Sequence, residues 1–304
     1  MKTRFSQLLS VSLLGLMITA CSPMRFSQYS GSRRLWPVVL ESMAETSFSL
    51  PVYRSWPDKP YDIIGSVRFE DPNQSWDDGV IRDAVSEAKK RRGNAIIIRY
   101  GSEFGVGGTI GAADDPSVWI QNQITALVIR WKAKEVLDAE ASALQGFKET
   151  FRARHPDISQ NGALFDSAIE YLQWQGVNLD PGAAAEKLSQ ILREIQSSKD
   201  AEFNGKWLYR CQVRRSRLTS SSGDSFRGIG LVTLKEGALT IVSTQGPAEV
   251  TFSGSFDKGR LTGKMGIGAT SINCDGVGSK EKISLSGQGQ VADGTIQANL
   301  VFLR

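Results

Sequence analysis

From Lys206 to Arg304 the chain runs as short stretches of alternating apolar and polar residues broken by turn signals. Side chains along a strand point alternately to opposite faces, so such stretches can bury only one face each and need one another to do it. Seven strands are expected: KWLYRCQV, GIGLVTL, ALTIVST, AEVTFSG, RLTGKMGIG, KISLSG and TIQANLVFL. Leu239/Ile241, Val250/Phe252, Ile283/Leu285 and Ile296/Ala298/Leu300/Phe302 mark the inward positions. The connectors KEG, TQGP, DKG and ADG are short, which favours an antiparallel meander closing into a barrel or sandwich. Arg210, Arg214, Arg215 and Arg217 lie along its first strand, as a solvated face or toward an anionic ligand.

Ahead of this domain lie three amphipathic segments in 133–200. Val136, Leu137, Ala141, Leu144, Phe147 and Phe151 recur at helical intervals, as do Leu164, Ala168, Ile169 and Leu172, then Ala184, Leu188, Ile191, Leu192 and Ile195. Each stripe needs a partner, either another helix or a neighbouring domain. Asp180 is expected to cap the third helix with Pro181 at its first position. His155-Pro156-Asp157, between the first two, resembles the tripeptide of J-domain co-chaperones. Ordinary turn chemistry also accounts for it, with Pro156 stopping one helix and Asp157 or Ser159 starting the next.

Residues 48–132 read as a small α/β sandwich domain. YDIIGSVRFE is a strand, with SLPVYRSW expected beside it. A helix follows, capped by Ser75 or Asp77 and ended by Gly93, with Val80, Ile81, Ala84, Val85 and Ala88 as its apolar stripe. NAIIIRYG is a buried central strand, and 119–132 a long further one. Strand, helix, strand in this spacing favours a right-handed crossover. IIGSV, the helix and GNAIII together resemble YbjQ-like envelope domains, which implies a compact module with a binding or sensing role. Lys89, Lys90, Arg91 and Arg92 fall in the last turn, where they complement the helix dipole or offer a docking patch for anionic lipid or glycan phosphate. GSEFGVGGTIG (101–111) lacks the Lys-Ser/Thr and following helix of a phosphate cradle, and reads as a flexible loop.

The N-terminus carries Lys2 and Arg4, an apolar stretch from Leu8 to Ile18 and then small residues. That is the layout of a secretory signal peptide, too short to span a bilayer. Ile18-Thr19-Ala20-Cys21 resembles the bacterial lipobox. The resemblance implies cleavage before Cys21, acylation of Cys21 with palmitate among its chains, and, with Ser22 following, sorting to the outer membrane. The protein is then expected to be lipid-anchored and to face the periplasm. Residues 1–20 are the leader, and 21–47 a lipidated tether in which Arg25, Arg33, Arg34 and Trp36 are solvated or meet the membrane surface. With Cys21 committed, Cys211 and Cys274 remain. The envelope permits a disulfide between them, closing a loop of about 64 residues and adding roughly 4 kcal/mol; otherwise they are two buried thiols.

The fold class is therefore α+β: an α/β sandwich domain, a helical connector (133–200) and an all-β domain (201–304). Thirty-six basic against 32 acidic side chains leave a charge of +4, too mild to suggest nucleic acid. One histidine argues against histidine-rich metal sites, and no cofactor or metal is expected. A non-catalytic binding, sensing or scaffolding role in the envelope follows, with the membrane as one partner and an envelope protein, lipid or glycan as another. The alternative is a hydrolase of envelope polymers using paired carboxylates, Asp77/Asp78 or Asp114/Asp115.

Overall fold

In a computed structural model of the chain, Ala95–Ile98 is buried on both faces of a sheet, as its unbroken apolar run requires. The structure describes residues 24–29, 36, 38, 42–68, 77–99, 125–198, 203–217, 221–246, 249–268, 270–291 and 294–304. The strands of the first sheet are β1 (Arg25–Gln28), β2 (Ala44–Glu45), β3 (Val52–Tyr53), β4 (Tyr61–Arg68), β5 (Ala95–Arg99) and β6 (Thr125–Trp131), in the order β1-β4-β6-β5-β3-β2. Helix α1 (Asp78–Lys90) joins β4 to β5. Strand β6 is antiparallel to both of these and lies between them.

The two faces of this sheet differ. Ile96, Ile98, Ala126 and Val128 pack under Val80, Ile81, Ala84, Val85 and Ala88 of α1. Ile97, Leu127 and Ile129 face an aromatic layer of Trp36, Tyr53, Trp56 and Tyr61, with Trp131 beside it. Tyr61 and Trp131 meet edge to face at 6.4 Å, as do Tyr53 and Trp131 at 5.9 Å. Asp77 caps α1, its Oδ1 accepting from the Val80 N–H at 2.9 Å.

Two expectations are corrected here. The segment SLPVYRSW does not pair with β4: its strand β3 runs parallel to β5. Residues 21–47 are not simply a tether either. β1 pairs with β4 from Arg25↔Arg68 to Gln28↔Gly65, β2 pairs with β3, and Trp36 is buried. Backbone pairing at a sheet edge recruits a segment that has no apolar periodicity to announce it. The 101–111 loop and 119–124 lie outside the described residues.

Three more helices follow: α2 (Lys134–Arg154), α3 (Gly162–Trp174) and α4 (Ala183–Ser197). Lys132, at the junction, pairs with Asp62 of β4 at 3.7 Å and Glu140 of α2 at 2.8 Å. The first half of α2 is largely exposed; Phe147 and Phe151 are its buried residues. The His155 ring lies against Phe151, centroids 4.7 Å apart, and α2 ends at this turn. Neither Asp157 nor Ser159 starts α3. Asn161 does, accepting from the Leu164 N–H at 3.1 Å, while the Ser159 hydroxyl donates back to the His155 carbonyl at 2.8 Å. Pro181 likewise precedes α4, which begins after Gly182; Asp180 accepts from the Gly182 N–H at 2.8 Å. Among the described residues no helix is long and apolar enough to cross a membrane.

The last domain is a closed antiparallel barrel of eight strands: β7 (Gly205–Arg217), β8 (Ser221–Lys235), β9 (Ala238–Gln245), β10 (Val250–Asp257), β11 (Arg260–Ile267), β12 (Thr270–Gly278), β13 (Lys282–Val291) and β14 (Gly294–Leu303). Each strand pairs with the next, and β14 closes on β7, which leaves no free edge. The eighth strand, unforeseen, is β12.

Side chains fill the barrel. Trp207, Phe252, Met265, Ile283, Leu300 and Phe302 are all within 2 % exposure. One transverse row is small, running Gly254, Gly263, Cys274, Gly287, Ala298 on neighbouring strands. Large side chains of adjacent rows lie over it: a Cβ on Gly254 would come within 2.7 Å of the Phe252 ring, and one on Gly287 within 3.0 Å of Ile272. Interior volume is thus taken up by aromatic and aliphatic groups packed onto bare backbone, as close packing of interiors requires.

The helices are a layer on this barrel rather than a free connector. Leu164, Phe165, Leu172, Leu188 and Leu192 form one core with Leu208, Ile229 and Leu303, which point outward from β7, β8 and β14. Each such burial contributes about 1.5–3 kcal/mol.

Candidate functional site

Where α3 leaves the barrel wall, the wall turns from apolar to charged. Leu208 and Ile229 sit under the helices, and Arg210 and Arg227 come next on their strands, directly opposite each other in register. The Arg227 side chain is 13 % exposed, and its guanidinium donates to Glu170 of α3 at 2.9 Å. Arg210 is exposed and has no ion-pair partner among the described residues. Together with Ser167, Leu208 and Val301 these three charged side chains line a pocket of about 100 Å³ at the seam between helix and barrel.

The seam continues as a polar cluster. Tyr171 of α3 accepts from the Gln175 amide at 2.8 Å and meets Gln245 of β9 at 3.4 Å. Its phenol is pushed above the ordinary value by burial, then by the nearby Glu194 carboxylate. Tyr209, pointing into the barrel, is raised further, chiefly by burial and then by Cys211 and Tyr171. Lys206 and Glu194 pair across the same seam.

A second concavity, about 490 Å³ and open to solvent, crosses the outside of β11–β14. Its floor is two register rows. One runs Arg260, Val277, Ser284, Val301; the other runs Thr262, Asp275, Ser286, Asn299. Short side chains there sink the floor between longer neighbours, and Val277 is 62 % exposed.

The residues singled out from sequence fall in different places. Cys21 lies outside the described residues. Cys211 and Cys274 both point into the barrel and are buried free thiols, not the expected disulfide. They sit on β7 and β12, with β14 and β13 between, so roughly 14 Å of wall separates them at ~4.8 Å per strand. That exceeds what a bridge can span. Cys274 points its Sγ at the Gly263 carbonyl, 3.7 Å away. Burial, then the Asp275 carboxylate, pushes its thiol up to about 11.

The run Lys89–Arg92 closes α1. Lys90 and Arg91 pair with Glu87 at 3.2 and 3.1 Å, and the Arg91 guanidinium lies over the Phe26 ring of β1 at 4.7 Å. Burial raises the Glu87 carboxyl, but the hydrogen bonds and charges of Lys90 and Arg91 outweigh it and leave the group below its ordinary value. Lys89 and Arg92 remain exposed. Of the acid pairs, Asp77 is a helix cap and Asp78 faces Arg82 at 3.8 Å; Asp114/Asp115 lie outside the described residues. Among the described residues no three His, Cys, Asp or Glu side chains cluster to hold a metal ion.

Arg210 and Arg214 point outward from β7. Arg227 and Glu170 escaped the sequence reading because only register and helix docking bring them to Arg210. Comparison with family models, curated proteins and solved structures finds no match to the chain.

Proposed function

We propose that this chain is a lipid-anchored protein of the bacterial cell envelope, held at the outer membrane by acyl chains on Cys21, with a binding, sensing or scaffolding role carried by the outer surface of its barrel. The location rests on Ile18-Thr19-Ala20-Cys21 and the leader before it. Three acyl chains at ~0.8 kcal/mol per buried methylene anchor a protein where one alone holds weakly.

The observation that carries the binding reading is the filled barrel. With Trp207, Phe252, Phe302 and the glycine row occupying the interior, a ligand meets the wall. That wall offers the charged seam beside α3 and the polar groove over β11–β14. Both are concave, and both bring side chains from three or more elements to one place.

Expression of the full chain and of Cys21→Ser in a diderm bacterium, with palmitate labelling and membrane fractionation, tests the anchor. Label and outer-membrane recovery are expected for the parent and neither for the variant. Equal processing and fractionation of the two would refute it. Capture from envelope extract on the parent, followed by mass spectrometry of bound proteins and lipids, tests the binding role, and an empty result for both classes counts against it.

A further inference from the structure

We infer that the seam between α3 and the barrel is a binding site for a phosphate group, held between Arg210 and Arg227. The inference rests on the barrel wall as the binding surface but not on the lipid anchor, so it stands or falls apart from the fractionation test.

Two guanidiniums directly opposite on paired strands repel, since their Cβ atoms are about 5 Å apart. One carboxylate, Glu170, answers Arg227. Among the described residues Arg210 is left uncompensated, and the lining it shares with Arg227 and Glu170 carries a net positive charge. An anion placed there neutralises that excess.

The chemistry of the lining selects the anion. Each guanidinium presents up to five N–H donors in a planar fork. A carboxylate has two acceptor oxygens, enough for one fork; Glu170 takes a single N–H of Arg227, at 2.9 Å. A phosphate group has three or more acceptor oxygens and can take bonds from two forks and the Ser167 hydroxyl together. A volume of about 100 Å³ has room for one phosphate group and not for a nucleotide. Leu208 and Val301 form the apolar side of the pocket and lower the dielectric around the charges. The exposed Arg210 and the partly exposed Glu170 mark the open side, where the rest of a phosphate ester would leave.

Glu170 competes with such a ligand, which supplies a test with opposite signs. The full chain is titrated with inorganic phosphate and, separately, with short-chain phosphatidic acid, by calorimetry and ³¹P line broadening at low ionic strength. Saturable binding is expected for the parent, weakening as salt is added. Arg210→Gln is expected to weaken it roughly tenfold or more, the loss of one charge-assisted donor group. Glu170→Gln is expected to strengthen it about threefold to tenfold, by removing the competing charge. Circular dichroism verifies the fold of each variant, and Arg227→Gln/Glu170→Gln, which removes the ion pair as a unit, serves if Arg227→Gln alone does not fold. Binding of phosphatidic acid that inorganic phosphate displaces identifies a lipid headgroup as a ligand, and binding of inorganic phosphate alone identifies the free anion. A folded Arg210→Gln that binds like the parent, a Glu170→Gln that binds more weakly, or no binding by either the parent or Glu170→Gln would overturn the inference.

Discussion

The Arg304 guanidinium lies over the indole of Trp207, 4.7 Å from its centroid, at the end of the barrel where the first and last strands close. Both residues are held independently. The Trp207 Nε1 donates to the Phe203 carbonyl at 3.0 Å, and Arg304 donates to the carbonyls of Lys280 at 2.7 Å and Asn204 at 3.1 Å. Arg304 is 4 % exposed, so these bonds satisfy a charge that is out of water. The pair fastens β14 to the entry of β7.

Arg304→Ala should therefore lower stability by about 2–4 kcal/mol, combining lost charge-assisted hydrogen bonds with the cation–π contact. Arg304→Lys keeps the charge but not the planar fork, and should recover only part of the loss. Urea unfolding midpoints at constant slope measure both, and an unchanged midpoint for Arg304→Ala would refute the role.

Two glycines should respond in opposite directions. Gly263 packs its backbone against Gly254, where an added Cβ would stand 2.6 Å from the neighbouring Cα. Gly263→Ala should cost about 1–3 kcal/mol by overpacking. Gly146, in the exposed part of α2, has nothing within 4 Å of an added Cβ, and Gly146→Ala should gain about 0.5–1 kcal/mol. Thermal melts of the pair decide it; a stabilising Gly263→Ala would mean the barrel interior has slack.

Alkaline pH should destabilise the barrel through Cys274. The thiol ordinarily loses its proton near 9.0 and in the fold near 11, so between these values the unfolded chain is deprotonated and the native one is not. Stability is then complete below about pH 9 and falls as pH rises toward 11, by at most about 3 kcal/mol. Tyr209 adds to the fall above its ordinary 10.0, also being raised by burial. Cys274→Ala should flatten the decline between pH 9 and 10 in denaturant titrations. An equally steep decline in that variant would assign it to other groups.

Asn161 works twice, capping α3 with its Oδ1 and donating from Nδ2 to the Arg304 carbonyl at 2.9 Å. Asn161→Asp keeps the cap and loses the donor, whereas Asn161→Ala loses both. The alanine variant should lose about 1–3 kcal/mol; the aspartate variant sets an acceptor oxygen against the Arg304 main-chain oxygen and should lose at least as much. Hydrogen exchange at the first turn of α3 would separate the two effects, because only the alanine variant should fray there.

Much of the architecture could be read from residue order because burial on one face imposes a period. Leu239/Ile241 and Ile296 through Phe302 declared their strands, and Leu188, Leu192 and Ile195 their helix. Strand β12 did not: its inward positions are Ile272, Cys274, Gly276 and Gly278, and its outward ones include Asn273 and Asp275, a composition that reads as a turn. Closure of the barrel by backbone pairing on both sides overrides that local preference. The short strand β1 was hidden for a related reason, since four residues at an edge draw stability from a neighbour rather than from their own pattern. At the seam, Arg210 was visible as part of a basic run, but Arg227 and Glu170 are 17 and 40 positions away and meet it only through strand register and helix docking.

The position of β1 bears on how close the folded body can stand to a bilayer. Its first paired residue, Arg25, is four positions beyond Cys21, and an extended chain advances at most ~3.6 Å per residue. Acyl chains at Cys21 would thus work on a leash of about 14 Å, shorter than the width of a small domain. On the proposed anchoring at Cys21, the β1 edge of the first sheet would stay within about that distance of the headgroups rather than range across the space between membranes.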